Sequence, residues 1–185
     1  MTTPADVLIF WFAGDPAARR PEWFQRSDAF DAACAAFTPA HEAAKRGELD
    51  HWAATAEGAL ALLILLDQFS RNLHRGLAEA FAADSQARTI AAAAIARGFD
   101  QTLTPVQRMF IYLPFEHAEN PADQDRSVAL FETLRAALGD LTIDYAARHR
   151  DVIRRFGRFP HRNAALGRAN TPAEDAYLAE PGAGF

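Results

Sequence analysis

Four short start signals divide this chain into helices. Each pairs a residue that can cap a helix with a proline suited to the first helical position. They are Thr3-Pro4, Thr104-Pro105, Asn120-Pro121 and Thr171-Pro172. A carboxylate or an amide lies three residues after each threonine cap, as a capping box requires. The irregular spacing of the signals argues against a sequence repeat of fixed period, and together they predict a chain made of several helices.

Strands are not expected anywhere in the chain. No segment alternates polar and apolar residues with the β-branched enrichment that is typical of a strand. Apolar residues instead recur at helical spacing, as between Phe30 and Phe37. We therefore predict a single all-α domain over residues 1–185, with about seven to nine helices in antiparallel pairs. Within it, 157–170 is expected to be an irregular segment docked on the helices, and 180–185 a flexible tail.

Composition excludes several classes of protein. The chain has 185 residues, of which 50% are hydrophobic and 11% aromatic, enough to build a sizeable core. The formal net charge is −5 and there is no basic block, which argues against general nucleic-acid binding. Cys34 is the single cysteine, so the sequence offers neither an internal disulfide nor a cysteine metal cluster.

Neither a leader peptide nor a membrane span is expected. The N-terminus lacks the basic start and the small-residue cleavage site of a signal peptide. The unbroken apolar run Ala59–Leu66 is far shorter than the roughly 20 residues that cross a bilayer. We therefore expect a cytoplasmic protein without a membrane partner.

The residues after this apolar run form the first candidate site. At about 100° per residue, one side of the helix carries Leu60, Leu63 and Ile64. Further along the helix the same side becomes polar, within an arc of roughly 160°. That polar side carries Asp67, Gln68, Arg71, Asn72, His74 and Arg75. The spacing of Asp67 and Arg71 favours an ion pair, which Arg75 can extend. Such a helix either emerges into solvent with its charges paired or lines a polar pocket.

A second polar cluster lies in the irregular segment 157–170. Its basic and amide side chains are Arg158, His161, Arg162, Asn163 and Arg168. Irregular backbone needs partners for its N–H and C=O groups, so these side chains can be structural ties. Four basic side chains and an amide within eleven residues are also typical of an anion site. Both interpretations stay open on the residues alone.

A third cluster follows Pro114, which is expected to interrupt its helix. Glu116, His117 and Glu119 come directly after it. A histidine near carboxylates can act as a general base or as a metal ligand. Because no spacing typical of a dedicated metal site is present, no metal and no other cofactor is predicted. His149 lies in an apolar helical stripe and is predicted to be a hydrogen-bonded core histidine.

Three motifs make the chain resemble a known family. They are LLILLDQFSRN (Leu62–Asn72), RMFIYLPFEHAEN with Gln124 following (from Arg108), and FGRFPHRNAALGR (Phe156–Arg168). In this order they are similar to a bacterial domain-of-unknown-function family with a tetratricopeptide-like helical fold. The resemblance implies an antiparallel, tetratricopeptide-like array without a sheet, and no established reaction. The chain departs from the family pattern at Ile9, Ala118 and Asn170, which weakens any chemical role for those positions.

Three hypotheses for the function follow. The leading one is a soluble helical binding module whose polar pocket takes an anionic small molecule or an acidic peptide. Its predicted ligand-binding residues are Gln68, Arg71, Asn72, Arg108, Arg158, Arg162 and Asn163. The second is an enzyme that uses the same pocket, with His117 or His161 as general acid or base. The third is a structural interaction domain whose polar motifs pair internally, and the oligomeric state stays open.

Overall fold

The computed structural model describes residues 1–184, and no strand occurs in that range. Residues 1–184 contain nine α-helices, when a 3₁₀ or π turn that directly continues an α-helix is counted as part of it, and five separate 3₁₀ turns. The α-helices are α1 (Pro4–Phe12), α2 (28–45), α3 (56–73), α4 (Asp84–Ala96), α5 (Pro105–Glu116), α6 (Pro121–Glu132), α7 (Arg135–Leu138), α8 (Asp140–Phe156) and α9 (Pro172–Leu178). The predicted all-α fold class is confirmed.

The start signals act as helix caps. Each of the three threonine side chains accepts a hydrogen bond from the backbone N–H three residues later. The side chain of that later residue accepts one from the threonine backbone N–H, which completes the capping box. These pairs are Thr3 with Asp6, Thr104 with Gln107, and Thr171 with Glu174. Asn120 caps α6 by accepting from two backbone N–H groups. Each cap depends only on residues within one turn, so the local sequence is sufficient to place these helix starts.

Helix α3 is the centre of the core. Its residues Ala59–Leu66 are fully buried, and α1, α4 and α5 pack around it. Aromatic rings from three helices meet at its far end. The ring centroid of Trp11 lies 5.4 Å from that of Phe69 and 5.6 Å from that of Phe110. A helix covered on every side buries all of its faces, which explains why this run is apolar throughout.

The polar half of α3 begins with a change of helix type. The segment Ile64–Phe69 is a π-helix, set between α-helical pieces. A π turn shifts every later residue from the position that uniform 3.6-residue spacing predicts. Arg71 still reaches Asp67, with Nη1 3.2 Å from Oδ1. Arg75 does not extend this ladder, since it pairs with Asp31 of α2 at 2.9 Å.

Helix α5 continues through Pro114 to Glu116, so the expected interruption at this proline does not occur. Its C-terminal end therefore presents Glu116 and His117 directly beside α3. Helix α6 packs against both α5 and α8. None of the helices described in residues 1–184 is long and apolar enough to span a bilayer.

The segment 157–170 is irregular apart from the short 3₁₀ turn Pro160–Arg162. It is held to the helices by the buried ring of Phe159 and by side-chain hydrogen bonds. Residues 180–184 form turns, and the Gly182 carbonyl accepts a hydrogen bond from Arg148 of α8. The remaining residue of the predicted tail, 185, lies outside the described residues.

Candidate functional site

Five titratable side chains from four parts of the chain meet beside the polar half of α3. We call them the central polar cluster: Asp67, Arg71, Asp84, His117 and Arg162. Arg71 donates to both oxygens of Asp84, at 3.0 and 3.1 Å, and Arg162 Nη1 lies 3.2 Å from Asp84 Oδ2. His117 Nδ1 lies 2.8 Å from Asp67 Oδ1. The cluster therefore joins the C-terminal end of α5, the first residue of α4 and the irregular segment to α3.

The π turn of α3 places Asp67 inside the protein. The side chain is buried, and Gln68 donates a hydrogen bond to its second carboxylate oxygen. Burial opposes ionisation of Asp67, but the charge of Arg71 and the hydrogen bonds from His117 and Gln68 outweigh it and hold the pKa of this carboxyl well below its ordinary value. Asp67 is therefore a fixed anion. Single π turns of this kind are frequent at functional sites.

The contact with Asp67 orients the imidazole of His117. An ionised carboxylate only accepts hydrogen bonds, so Nδ1 carries the proton and Nε2 keeps a lone pair. The side chain is 14% exposed, and Nε2 makes no hydrogen bond to any residue from 1 to 184. Burial and the charge of Arg71 lower the pKa of His117, although Asp67 works in the other direction. His117 therefore presents a neutral, oriented proton acceptor.

Arg162 is a buried cation with incomplete pairing. It is 6% exposed, and its guanidinium lies between the rings of Phe81 and Phe159, 4.6 and 4.5 Å from their centroids. It shares the single carboxylate of Asp84 with Arg71, and its Nε has no hydrogen-bond partner among the described residues. Burial, together with Arg71, lowers the pKa of Arg162 to about 10. Its surroundings thus compensate its charge only in part.

The ring of His161 lies beside these cations and beneath the C-terminal turns. Burial and the charges of Arg162 and Arg71 lower the pKa of His161 to about 4. The backbone of Gly184 lies close to the ring, since a Cβ added at Gly184 would be 3.0 Å from His161 Cβ. His161 is therefore neutral near pH 7 and is partly covered by the end of the chain.

A second buried acid, Glu116, lies next to His117. Burial and the charge of Asp67 raise the pKa of Glu116 to about 8. Its Oε1 is 3.2 Å from His149 Nδ1, which donates to the Tyr145 carbonyl at 2.8 Å. The prediction of a hydrogen-bonded core histidine at position 149 is confirmed. Strongly shifted pKa values at several neighbouring groups are typical of functional sites.

The comparison with protein families supports the resemblance that the three sequence motifs indicated. The sequence model of the family described as bacterial protein of unknown function (DUF924) matches residues 7–182. The chain belongs to this family. A solved structure of a protein of unknown function from Agrobacterium tumefaciens is 46% identical, with a TM-score of 0.85, over 95% of this chain and 96% of that one. No protein of curated function matches the DUF924 chain.

The DUF924 fold does not bring every predicted ligand-binding residue into the central polar cluster. Arg71, Arg162 and His117 belong to it, and His161 lies beside it, near enough for the charges of Arg162 and Arg71 to lower its pKa. Gln68 is next to the cluster and donates a hydrogen bond to Asp67. Four others have partners elsewhere: Asn72 donates to Asp31, Arg108 to Tyr112, Arg158 to Glu174, and Asn163 to Asn170. Each of these four side chains donates to an acceptor outside the cluster, so the cluster contains only part of the predicted set.

Asp84 is the cluster member that sequence reasoning missed. It stands at the start of α4, where an acidic residue is common because it complements the helix dipole. In the DUF924 structure the N-cap is Ala83, and the carboxylate of Asp84 instead pairs with Arg71 and Arg162. Its partners are 13 and 78 residues away in the sequence. No local signal separates this role from that of an ordinary helix start.

Proposed function

We propose that this protein is a helical binding module that holds a small anionic ligand against Arg162. The observation that carries the proposal is the buried guanidinium whose Nε lacks a partner among the described residues. Buried donors are almost always satisfied by protein, water or a bound group. An oxygen of a carboxylate or a phosphate at Nε would satisfy this donor and complete the compensation of the arginine charge.

The exposure of the cluster favours a small ligand over a peptide. The side chains of Arg71 and His117 are only 20% and 14% exposed, so little of the cluster is open to solvent. His117 Nε2 adds a hydrogen-bond acceptor to the cations of the cluster. An anion that also carries a hydroxyl, such as monohydrogen phosphate or a hydroxy acid, matches this combination of donors and acceptor.

Titration calorimetry with inorganic phosphate and with lactate tests the proposal. Arg162→Gln should weaken binding by about tenfold or more, because it removes a charge-assisted hydrogen bond. Arg158→Gln is the matched control: it removes an arginine of the same segment whose partner is Glu174. It should bind as the wild type does. Absence of binding to the wild type, or equal loss in the two variants, would contradict an anion site at Arg162.

A second candidate function, an enzyme with His117 as general base, is favoured by the 2.8 Å contact with Asp67. A buried carboxylate that orients a histidine is the usual support for proton abstraction, and Arg71 and Arg162 can stabilise developing negative charge.

A screen of ester, phosphate and amide substrates tests this second function. Turnover should fall about 100-fold in His117→Gln. Wild-type turnover should persist to a lower pH than with an ordinary histidine base, because burial and the charge of Arg71 lower the pKa of His117. If the wild type turns over none of the three substrate classes, the enzyme hypothesis is contradicted.

The setting that we propose is cytoplasmic, without a membrane or nucleic-acid partner. The net charge of −5 supports this setting, and so does the pairing of arginines with carboxylates among residues 1–184. We also propose a tetratricopeptide-like arrangement of the helix pairs. The packing of α6 against both α5 and α8 supports it.

A further inference from the structure

Three potential metal ligands face one another where the end of α3 packs on α2. They are His41, Glu42 and His74, and the atoms that they offer all lie within 4.8 Å of one another. His41 is 0% exposed, whereas the side chain of Glu42 is 39% exposed. The group therefore has a buried side and a side that solvent can reach. None of these residues belongs to the central polar cluster.

Two ring nitrogens of this group are buried without hydrogen-bond partners among the described residues. They are His41 Nδ1 and His74 Nε2. Unpaired buried nitrogens are rare in folded proteins, since each carries a desolvation penalty. The two rings are neighbours, with centroids 5.5 Å apart. A bound metal ion that accepts a lone pair from each of these two nitrogens would remove both desolvation penalties.

Hydrogen bonds on the far side of His41 select the tautomer that a metal needs. Ser70 Oγ donates its proton to the Leu66 carbonyl at 2.6 Å, so it accepts from His41 Nε2 at 2.8 Å. Nδ1 is then left with its lone pair. Metal-bound histidines are oriented in the same way by a partner on the other nitrogen.

The spacing of the ligands suits a tetrahedral ion. Two ligand atoms at about 2.0–2.1 Å from zinc are separated by about 3.3 Å. His41 Nδ1 and Glu42 Oε1 are already 3.4 Å apart. Lys45 donates to the same oxygen at 3.1 Å. Each oxygen of an ionised carboxylate has two lone pairs, so Oε1 can bind an ion and still accept from Lys45.

We propose that His41, Glu42 and His74 form a zinc site with a fourth position open to water or to an external ligand. Two imidazoles and one carboxylate with an open position are a recurring ligand set of zinc. The site does not depend on the proposed anion binding, and each proposal can fail without the other.

Titration of zinc into the metal-free full chain, followed by calorimetry, tests this proposal. We expect one zinc per chain. His74→Gln and Glu42→Gln should each lower the affinity by about 100-fold or more, and Ser70→Ala by about tenfold with unchanged stoichiometry. Cobalt substituted for zinc should give the intense visible absorption of a four-coordinate ion in the wild type, and should lose it in His74→Gln.

The matched control is His51→Gln, which removes an exposed histidine outside this group. It should bind zinc as the wild type does, and circular dichroism should show the same helix content in every variant. Unchanged affinity in both His74→Gln and Glu42→Gln would overturn the proposal. So would a wild-type stoichiometry far below one, or an equal loss in His51→Gln.

Discussion

At the scale of single residues, burial decides how Glu116 behaves. Its pKa is about 8 in the folded chain and about 4.5 in the unfolded one. The folded state therefore holds this proton more tightly, and its contribution to stability, complete below pH 4.5, is lost as the pH rises towards 8. Glu116→Gln stays neutral at every pH. Its free energy of unfolding, relative to the wild type, should rise by roughly 2–4 kcal/mol between pH 5 and 8.

Urea unfolding at several pH values measures this difference. Glu57→Gln is a suitable control, because Glu57 lies exposed at the start of α3. Its difference from the wild type should stay nearly constant over the same range. A constant difference for Glu116→Gln as well would mean that Glu116 is ionised in the folded protein.

At the scale of elements, the start of α3 depends on Gly58. A Cβ at this position would lie 2.0 Å from the Trp52 carbonyl oxygen and 2.9 Å from Thr55 Oγ1. Helix propensity alone favours alanine over glycine by about 1 kcal/mol, but a backbone overlap of this size requires the preceding turn to move. Gly58→Ala should therefore lower the free energy of unfolding by roughly 2–4 kcal/mol.

Chemical denaturation checks this prediction against Glu57→Ala, an exposed neighbour that should change stability by less than about 0.5 kcal/mol. A stabilised Gly58→Ala variant would show that propensity outweighs the contact. The turn Asp50–Ala54 would then have to yield easily, contrary to the close approach at Trp52.

At the scale of the whole molecule, one ion pair joins the irregular segment to the last helix. Buried Glu174 accepts from Arg158 Nε and Nη2, at 2.7 and 2.8 Å, and from the Thr171 backbone N–H at 2.7 Å. Glu174→Gln should release α9 from the rest of the protein. Hydrogen exchange in 171–178 should then accelerate about tenfold, with the amides of α3 unchanged.

Mass spectrometry of the exchange locates the effect, with Glu180→Gln as the control on an exposed acid of the same region. Faster exchange throughout α3 would indicate global destabilisation instead of local release. Unchanged exchange in α9 would show that the capping box of Thr171 holds the helix without Arg158.

The sequence by itself determined the helices of this protein and the place of its core. Caps such as Thr104 with Gln107 act within one turn, and the run Ala59–Leu66 is apolar on every face, so both signals are local. The family and the pairing of Asp67 with Arg71 were also predictable, since they rest on contiguous motifs and on helical spacing.

Only the tertiary structure decided which carboxylate each arginine pairs with. Arg158 and Arg162 are four residues apart, yet the first pairs with Glu174 and the second with Asp84, 78 residues away. A long arginine side chain binds whichever carboxylate the fold brings within reach, and spacing along the chain does not encode that distance. The approach of His41 to His74 likewise depends on the packing of two helices.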